Sequence, residues 1–222
     1  MKTVLITGAG GNLGAACADH FAGKGWQVIA FVSPGAVPPT AKPRMRYVEA
    51  DLMDEAGTAE VLSRVTGDFP VIDLAVLTVG GFAGGAVEKT DGAALKKMYA
   101  LNFETAYYTA RPLFSHMGKQ PHGGRMVFIG ARPALDASAG KGLVAYGLSK
   151  SLLFKLADYL NAASSTVKTH VIVFSTLDTP QNRTAMPDAD RTGWIKPEAV
   201  AKTIEEIGSG TIVPTVVEIS PK

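Results

Sequence analysis

Short apolar runs alternate with amphipathic stretches along the whole chain. Val4, Leu5 and Ile6 centre the first run, which is too brief to cross a membrane and rich in β-branched side chains. That predicts a strand buried on both faces of a parallel sheet. Residues 15–25 (AACADHFAGKG) follow as a helix, 26–32 (WQVIAFV) as a second strand, and 46–50 as a short third strand ending at Asp51. Asp54 is placed to cap a helix over 55–66, with Glu55 well set against the helix dipole. The nearly continuous apolar run 71–79 predicts a fourth strand, 89–117 a long helical stretch, and 125–129 a fifth strand. A helix over 145–163, a strand over 167–174, a helix over 197–207 and a last strand over 211–219 complete the chain. Residues 33–43 are too rich in Pro and Gly for a helix. Residues 175–196 form a connection long enough to cover a substrate. Strands alternating with helices predict an α/β fold with a doubly wound parallel sheet, in one domain over residues 1–222.

The first strand breaks directly into Gly8, Gly10, Gly11 and Gly14, spaced G-x-x-G-x-x-G over Gly8, Gly11 and Gly14. Strand, glycine turn and helix are the parts of a dinucleotide-binding, Rossmann-type unit. Glycines let the backbone approach a diphosphate, and the unpaired N–H groups at the helix start are donors to it. Ligands in such sheets bind beyond the carboxyl ends of the strands, which here are residues 8–14, 32–34, 51–52, 78–85, 130–146 and 175–196.

Composition narrows the class. A chain of 222 residues, 46% of them hydrophobic, can bury a full core. A net charge of +2 without long basic blocks argues against a nucleic-acid partner, and Arg44 with Arg46 reads as solvated surface. Cys17 is the only cysteine, so no internal disulfide can form and a reducing compartment is expected. His20, His116, His122 and His170 lack metal-ligand spacing, so no metal is expected. Residues 1–7 lack the pattern of a signal peptide, and the expected setting is cytoplasmic, without a membrane partner.

Tyr146 and Lys150 stand four apart in AYGLSK at a helix start and so share a face. An ammonium beside a phenol lowers the phenol's pKa, and a tyrosine so tuned can give a proton to a carbonyl or imine as hydride arrives. With Thr7-Gly8, Gly11, Gly14, Asp51-Leu52 after strand three and Asn102 in ALNF, the chain resembles the short-chain dehydrogenase/reductase family over essentially all its length. The resemblance implies that Tyr146 donates the proton and that Lys150 holds the nicotinamide ribose while tuning the tyrosine. It also implies that Asn102 anchors a water in the proton relay and that Asp51 and Leu52 lie near the adenine. The stretches GGFAGG (80–85), GARPALD (130–136), YGLSK (146–150) and above all TLDTPQNRTAMPDAD (176–190) are similar to those of quinoid dihydropteridine reductases, a small branch of that family. In that branch a tryptophan beside the pterin stands where Phe82 stands here, and an aromatic ring can stack on a flat substrate.

Two departures matter. Most of the larger family carries a serine about a dozen residues before the tyrosine, whereas this strand end reads Gly130, Ala131, Arg132, Pro133, leaving Ser138 in the next loop as the candidate substitute. Asn102 is the wider family's residue rather than the branch's, and the segment from Ala131 to Tyr146 is about two residues longer. The candidate site is therefore Tyr146, Lys150 and Asn102 for catalysis. Gly8, Gly10, Gly11, Asn12, Leu13, Gly14, Ser33, Asp51, Leu52, Gly80 and Lys150 are assigned to cofactor, and Phe82, Ala131, Tyr146 and Met186 to substrate. NAD-preferring sites place an acid at the end of strand two. Val32, Ser33 and Pro34 occupy that place, and Ser33 with Lys42 or Arg44 could bind a 2′-phosphate, which favours NADP(H) slightly over NAD(H). The expected activity is NAD(P)H-dependent reduction of a flat conjugated heterocycle, quinonoid dihydropteridine first. The alternatives are a reductase of ketones or quinones, and a nucleotide-sensing protein without turnover. The resemblance further implies a homodimer or homotetramer built on the two long helices.

Overall fold

Along β1 (Thr3–Thr7) the side chains alternate, with Val4 and Ile6 on one face and Leu5 on the other, and all five residues are buried. Both faces of the sheet must therefore be covered by helices. The computed structural model, which describes residues 1–36 and 42–221, shows how. Seven parallel strands pair in the order β3-β2-β1-β4-β5-β6-β7. The others are β2 (Gln27–Val32), β3 (Met45–Glu49), β4 (Leu74–Leu77), β5 (Gly124–Ile129), β6 (Val167–Phe174) and β7 (Val216–Ile219). The order reverses between β1 and β4, which opens the crevice where doubly wound sheets bind ligands.

On one face α1 (Asn12–Gly23) and α7 (Pro197–Ser209) pack side by side. Leu13, Cys17 and Phe21 of α1 meet Val200, Ile204 and Ile207 of α7 over Val4, Ile6, Val28, Val76 and Ile172. Burial pushes the Cys17 thiol up to about 12, so it behaves as a small apolar side chain. The other face is covered by α2 (Glu55–Asp68), α4 (Thr105–Met117) and α5 (Val144–Ala163). Leu62, Leu113, Met117, Leu153 and Ala157 pack there on Leu5, Ile29, Ala75, Phe128 and Val171. Asp54 caps α2 through a bond from the Ala56 N–H at 3.1 Å, as its position predicts.

Four expected boundaries move, each for a local reason. Helix α1 begins at Asn12, inside the glycine run, because the backbone turns helical as soon as Gly11 has capped it. Strand β4 is only Leu74–Leu77, and Val71 is exposed. The stretch 89–117 is divided into α3 (Gly92–Tyr99), a π-helical turn (Ala100–Glu104) and α4, with the Thr105 N–H reaching back to the Ala100 carbonyl. The last strand starts at Val216 rather than 211. Gly210 takes a left-handed φ of 84°, and the N–H groups of Thr211 and Ile212 fold back on the Glu206 carbonyl. The expected lid 175–196 contains a short helix, α6 (Pro180–Ala185). Residues 37–41 of the 33–43 connection lie outside the described residues.

Candidate active site

The glycine turn is set by close backbone packing. The Thr78 hydroxyl donates to the Thr7 carbonyl at 2.6 Å and the Thr78 N–H to the Thr7 hydroxyl at 3.1 Å, which fixes the ends of β1 and β4 side by side. Gly8 follows with φ +65°, and a Cβ there would lie 2.8 Å from the Thr78 hydroxyl oxygen. A Cβ on Gly14 would lie 2.2 Å from the Gly8 carbonyl oxygen, so helix α1 is seated directly on the turn. Gly11 caps α1 without a side-chain bond, and the first-turn N–H groups of the helix, on Asn12 and Leu13 among others, have no capping side chain. Such a helix start attracts an anion. Gly10 is exposed with open space around it, so nothing in the packing demands glycine there. The cradle fits a dinucleotide diphosphate.

Where the adenosine is expected, Ser33 is exposed just past β2. Lys42, expected to help with a 2′-phosphate, is paired with Asp19 at 2.5 Å. Glu49 pairs with Val32 in the sheet register, and its carboxylate accepts from the Gly35 N–H at 3.4 Å. A carboxylate thus reaches the end of β2 from the neighbouring strand, where the sequence of β2 itself shows none. Strand order carried that signal, since the end of β3 lies next to the end of β2. The Asp51 carboxylate accepts from the Met53 N–H at 3.0 Å and closes its own turn, while Leu52 is packed into the core.

Tyr146 and Lys150 do lie on one face of α5, but the expected tuning is reversed. The Lys150 ammonium is buried and donates to the Ile129 carbonyl at 2.8 Å, and burial pushes its pKa down to about 8. Burial also pushes the Tyr146 phenol up, to about 12. Four-residue spacing shares a face but does not decide where a long side chain ends, and this one ends on a carbonyl. Tyr146 therefore carries its proton at neutral pH, which is the form a donor needs.

Asn102 is wholly buried in the π-helical turn. Its Oδ1 accepts from the Gly81 N–H at 2.8 Å, and its Nδ2 donates to the Ser149 hydroxyl at 2.9 Å. Ser149 in turn donates to the Tyr146 carbonyl at 2.8 Å. A Cβ on Gly80 would stand 2.6 Å from the Asn102 Oδ1 and 3.1 Å from the Lys150 Nζ, so Gly80 lets these groups converge. The amide of Asn102 is thus spent on protein partners rather than on a water. Ser149 carries no such expectation in the sequence, because a serine in mid-helix has no signature of its own.

Of the residues assigned to substrate, Phe82 is 68% exposed, and its ring meets that of Tyr146 edge-on at 5.1 Å between centroids. Its loop is stitched to the start of α5 by the Gly85 N–H on the Gly142 carbonyl, 2.7 Å, and the Val144 N–H on the Gly85 carbonyl, 3.0 Å. Ala131 is buried at the end of β5. Ser138 does not replace the missing serine, since its hydroxyl and N–H are both committed to the Asp136 carboxylate at 2.7 and 2.8 Å. Met186 ends α6, partly exposed. The neck of the 175–196 excursion is closed by Ile195 N–H on the Thr176 carbonyl and Asp178 N–H on the Ile195 carbonyl, both 2.8 Å. This brings Thr179 and Arg183 beside Asn12 around a cavity of about 300 Å³. Among the described residues no group of three His, Cys, Asp or Glu could hold a metal, and no helix is long and apolar enough to cross a membrane.

The short chain dehydrogenase family model matches residues 2–190. The chain belongs to that family. Members of the short-chain dehydrogenase family are oxidoreductases that use NAD(P). Among its relatives, dihydropteridine reductase of Dictyostelium discoideum is 27% identical over 215 residues, spanning 92% of this chain and 87% of its own. The 2,3-dihydro-2,3-dihydroxybenzoate dehydrogenase of Escherichia coli (strain K12) is 28% identical over 213 residues, spanning 93% and 79%. The ligand-free aldohexose dehydrogenase of Thermoplasma acidophilum shares the fold at TM-score 0.84, over 98% of this chain and 92% of its own, with 18% identity.

For this short-chain dehydrogenase the lysine titration sets a test. Lys150 is charged below about pH 8 and neutral above it, while Tyr146 keeps its proton up to about 12. Reductive kcat/KM measured against pH is expected to fall with an apparent pKa near 8. A profile flat well into the alkaline range contradicts this.

Proposed function

We propose that the chain is an NAD(P)H-dependent reductase of a flat conjugated heterocycle, with quinonoid dihydropteridine, reduced to tetrahydropteridine, as the leading case. The observation that carries this reading is the exposed Phe82 ring set edge-on to Tyr146. An aromatic wall beside a proton donor suits a planar ring, which gains from stacking what a small alcohol or ketone cannot. The end of β5 supplies no hydroxyl over Gly130, Ala131, Arg132 and Pro133, and Ser138 is committed elsewhere. The Dictyostelium relative acts in the same direction as support.

Gly8, Gly11, Asn12, Leu13 and Gly14 would hold the cofactor diphosphate, with Ser33, Asp51, Leu52, Gly80 and Lys150 along the rest of it. A nicotinamide dinucleotide, when bound, supplies the hydride. Tyr146 holds a proton at its Oη and gives it to the ring nitrogen of the substrate as the hydride arrives, so the two-electron reduction is balanced. Lys150, charged at neutral pH and oriented by the Ile129 carbonyl, would hold the nicotinamide ribose. Phe82 and Met186 flank the substrate and exclude water from it. NADP(H) keeps a slight preference through Ser33 and Arg44. Lys42 is engaged with Asp19 and the Glu49 carboxylate is near, so the two cofactors differ little.

Reduction of ketones or quinones is the second reading, favoured by Asn102, the wider family's residue at that place. Turnover of quinonoid dihydropterin beside a panel of simple ketones, with NADPH and NADH each as donor, separates the two. Dihydropterin is expected to exceed the ketones in kcat/KM by at least about a hundredfold, and the two cofactors to lie within about tenfold of each other. Phe82→Ala is expected to raise KM by roughly threefold to tenfold, the size of one aromatic contact, with kcat little changed. Ketones turned over faster than dihydropterin contradict the reading.

We also propose that copies of the chain pair through α3 and α5, as a homodimer or homotetramer. Leu95, Tyr99 and Leu148 leave an apolar face there, with Leu148 56% exposed. Light scattering is expected to give a multiple of the 23.2 kDa chain mass, and Leu148→Glu to reduce it. A wild-type mass equal to one chain contradicts this.

A further inference from the structure

Arg183 of α6 is held from behind. Its Nε donates to one oxygen of Asp178 at 2.5 Å and its Nη2 to the other at 2.7 Å, a two-pronged pair that fixes the plane of the guanidinium. Hydrogen bonding to Arg183 in turn lowers the pKa of the Asp178 carboxyl, which favours its ionised form. Of the five N–H donors of an arginine, two are spent on Asp178 and three remain. The side chain is about half exposed, and it lines the same cavity as Asn12 and Ala16 in the first turns of α1.

Helix α6 does not need this pair to stay in place. The Thr179 hydroxyl caps it through the Asn182 N–H at 3.2 Å, and the Asn182 amide donates to the Leu177 carbonyl at 2.9 Å. The lining also carries Lys196, offset in charge by Asp178 and Glu198 in the same lining. The cavity is therefore not a broad positive patch, and any affinity for an anion must come from directed hydrogen bonds. A guanidinium with three donors left and its plane already fixed supplies those at low entropic cost.

We propose that Arg183, braced by Asp178, is a cofactor-binding residue that grips the diphosphate bridge of the bound nicotinamide dinucleotide from the side opposite the glycine turn. This rests on the NAD(P)-binding reading of the glycine turn. The diphosphate is common to NADH and NADPH, so the contribution of Arg183 is the same for both, and it acts on binding rather than on the proton.

Titration of cofactor fluorescence gives Kd directly, without turnover. Arg183→Gln is expected to weaken NADH and NADPH alike by about tenfold, the size of a lost charge-assisted bond. It is also expected to leave a Kd less sensitive to added salt than that of the wild type. Arg183→Lys keeps the charge but loses the fork, and is expected to recover only part of the affinity. Asn182→Ala removes the amide bond to Leu177 but keeps Arg183 and Asp178, and is expected to cost clearly less affinity than Arg183→Gln. Unchanged affinity in Arg183→Gln overturns the inference alone. So does an effect confined to NADPH, which places Arg183 at the 2′-phosphate, or an equal loss in Asn182→Ala, which makes the role structural. A wild-type chain that binds neither nucleotide takes down the cofactor reading and this inference together.

Discussion

A single buried amide ties the chemistry of this chain together. Asn102 joins three segments far apart in sequence: the loop after β4 through Gly81, the interrupted helix that carries it, and the first turns of α5 through Ser149. A buried polar side chain that loses a partner costs far more than it contributed when paired, so each of these segments is held to the others within a narrow tolerance. The helical geometry yields to that demand. A regular helix through residues 100–104 would carry the side chain elsewhere, and a π-helical turn is the local distortion that delivers it. Tyr146, Lys150 and the Phe82 loop take their relative positions from this joint.

A second constraint meets it across the sheet. Gly14 seated on the Gly8 carbonyl brings the start of α1 against the end of β1, where a diphosphate can be bound by backbone donors alone. The two constraints lie on either side of the β1–β4 crevice, and under the proposed function one would hold the charged part of a dinucleotide while the other places the proton donor. Burial sets the donor's state. Burial raises the phenol's pKa to about 12 and lowers the lysine's to about 8, so both groups carry their protons at neutral pH.

Much of this could be read from the sequence, for physical reasons. Strands such as Val28–Phe31 are buried on both faces and so appear as unbroken apolar runs, and their alternation with helical stretches leaves few topologies open. The glycine turn was legible because close backbone approach demands glycine at Gly8 and Gly14. What could not be read depends on distance in sequence. The π-helical turn exists for partners 21 and 47 residues away from Asn102. Glu49 reaches the end of β2 only because of the strand order. The Tyr146–Lys150 spacing was right about the shared face but silent on the Ile129 carbonyl that captures the ammonium. Asp178 and Arg183 form a local pair, yet their place beside Asn12 appears only once the neck at Ile195 is closed.

The central claim is that the phenol of Tyr146, placed by the Asn102–Ser149 joint, gives up its proton as hydride arrives. Single-turnover reduction in Tyr146→Phe, with cofactor prebound at saturation, tests it most directly. Loss of hydride transfer by about 10²- to 10⁴-fold with cofactor affinity intact is the expected result. Transfer at the wild-type rate in that variant would contradict the account.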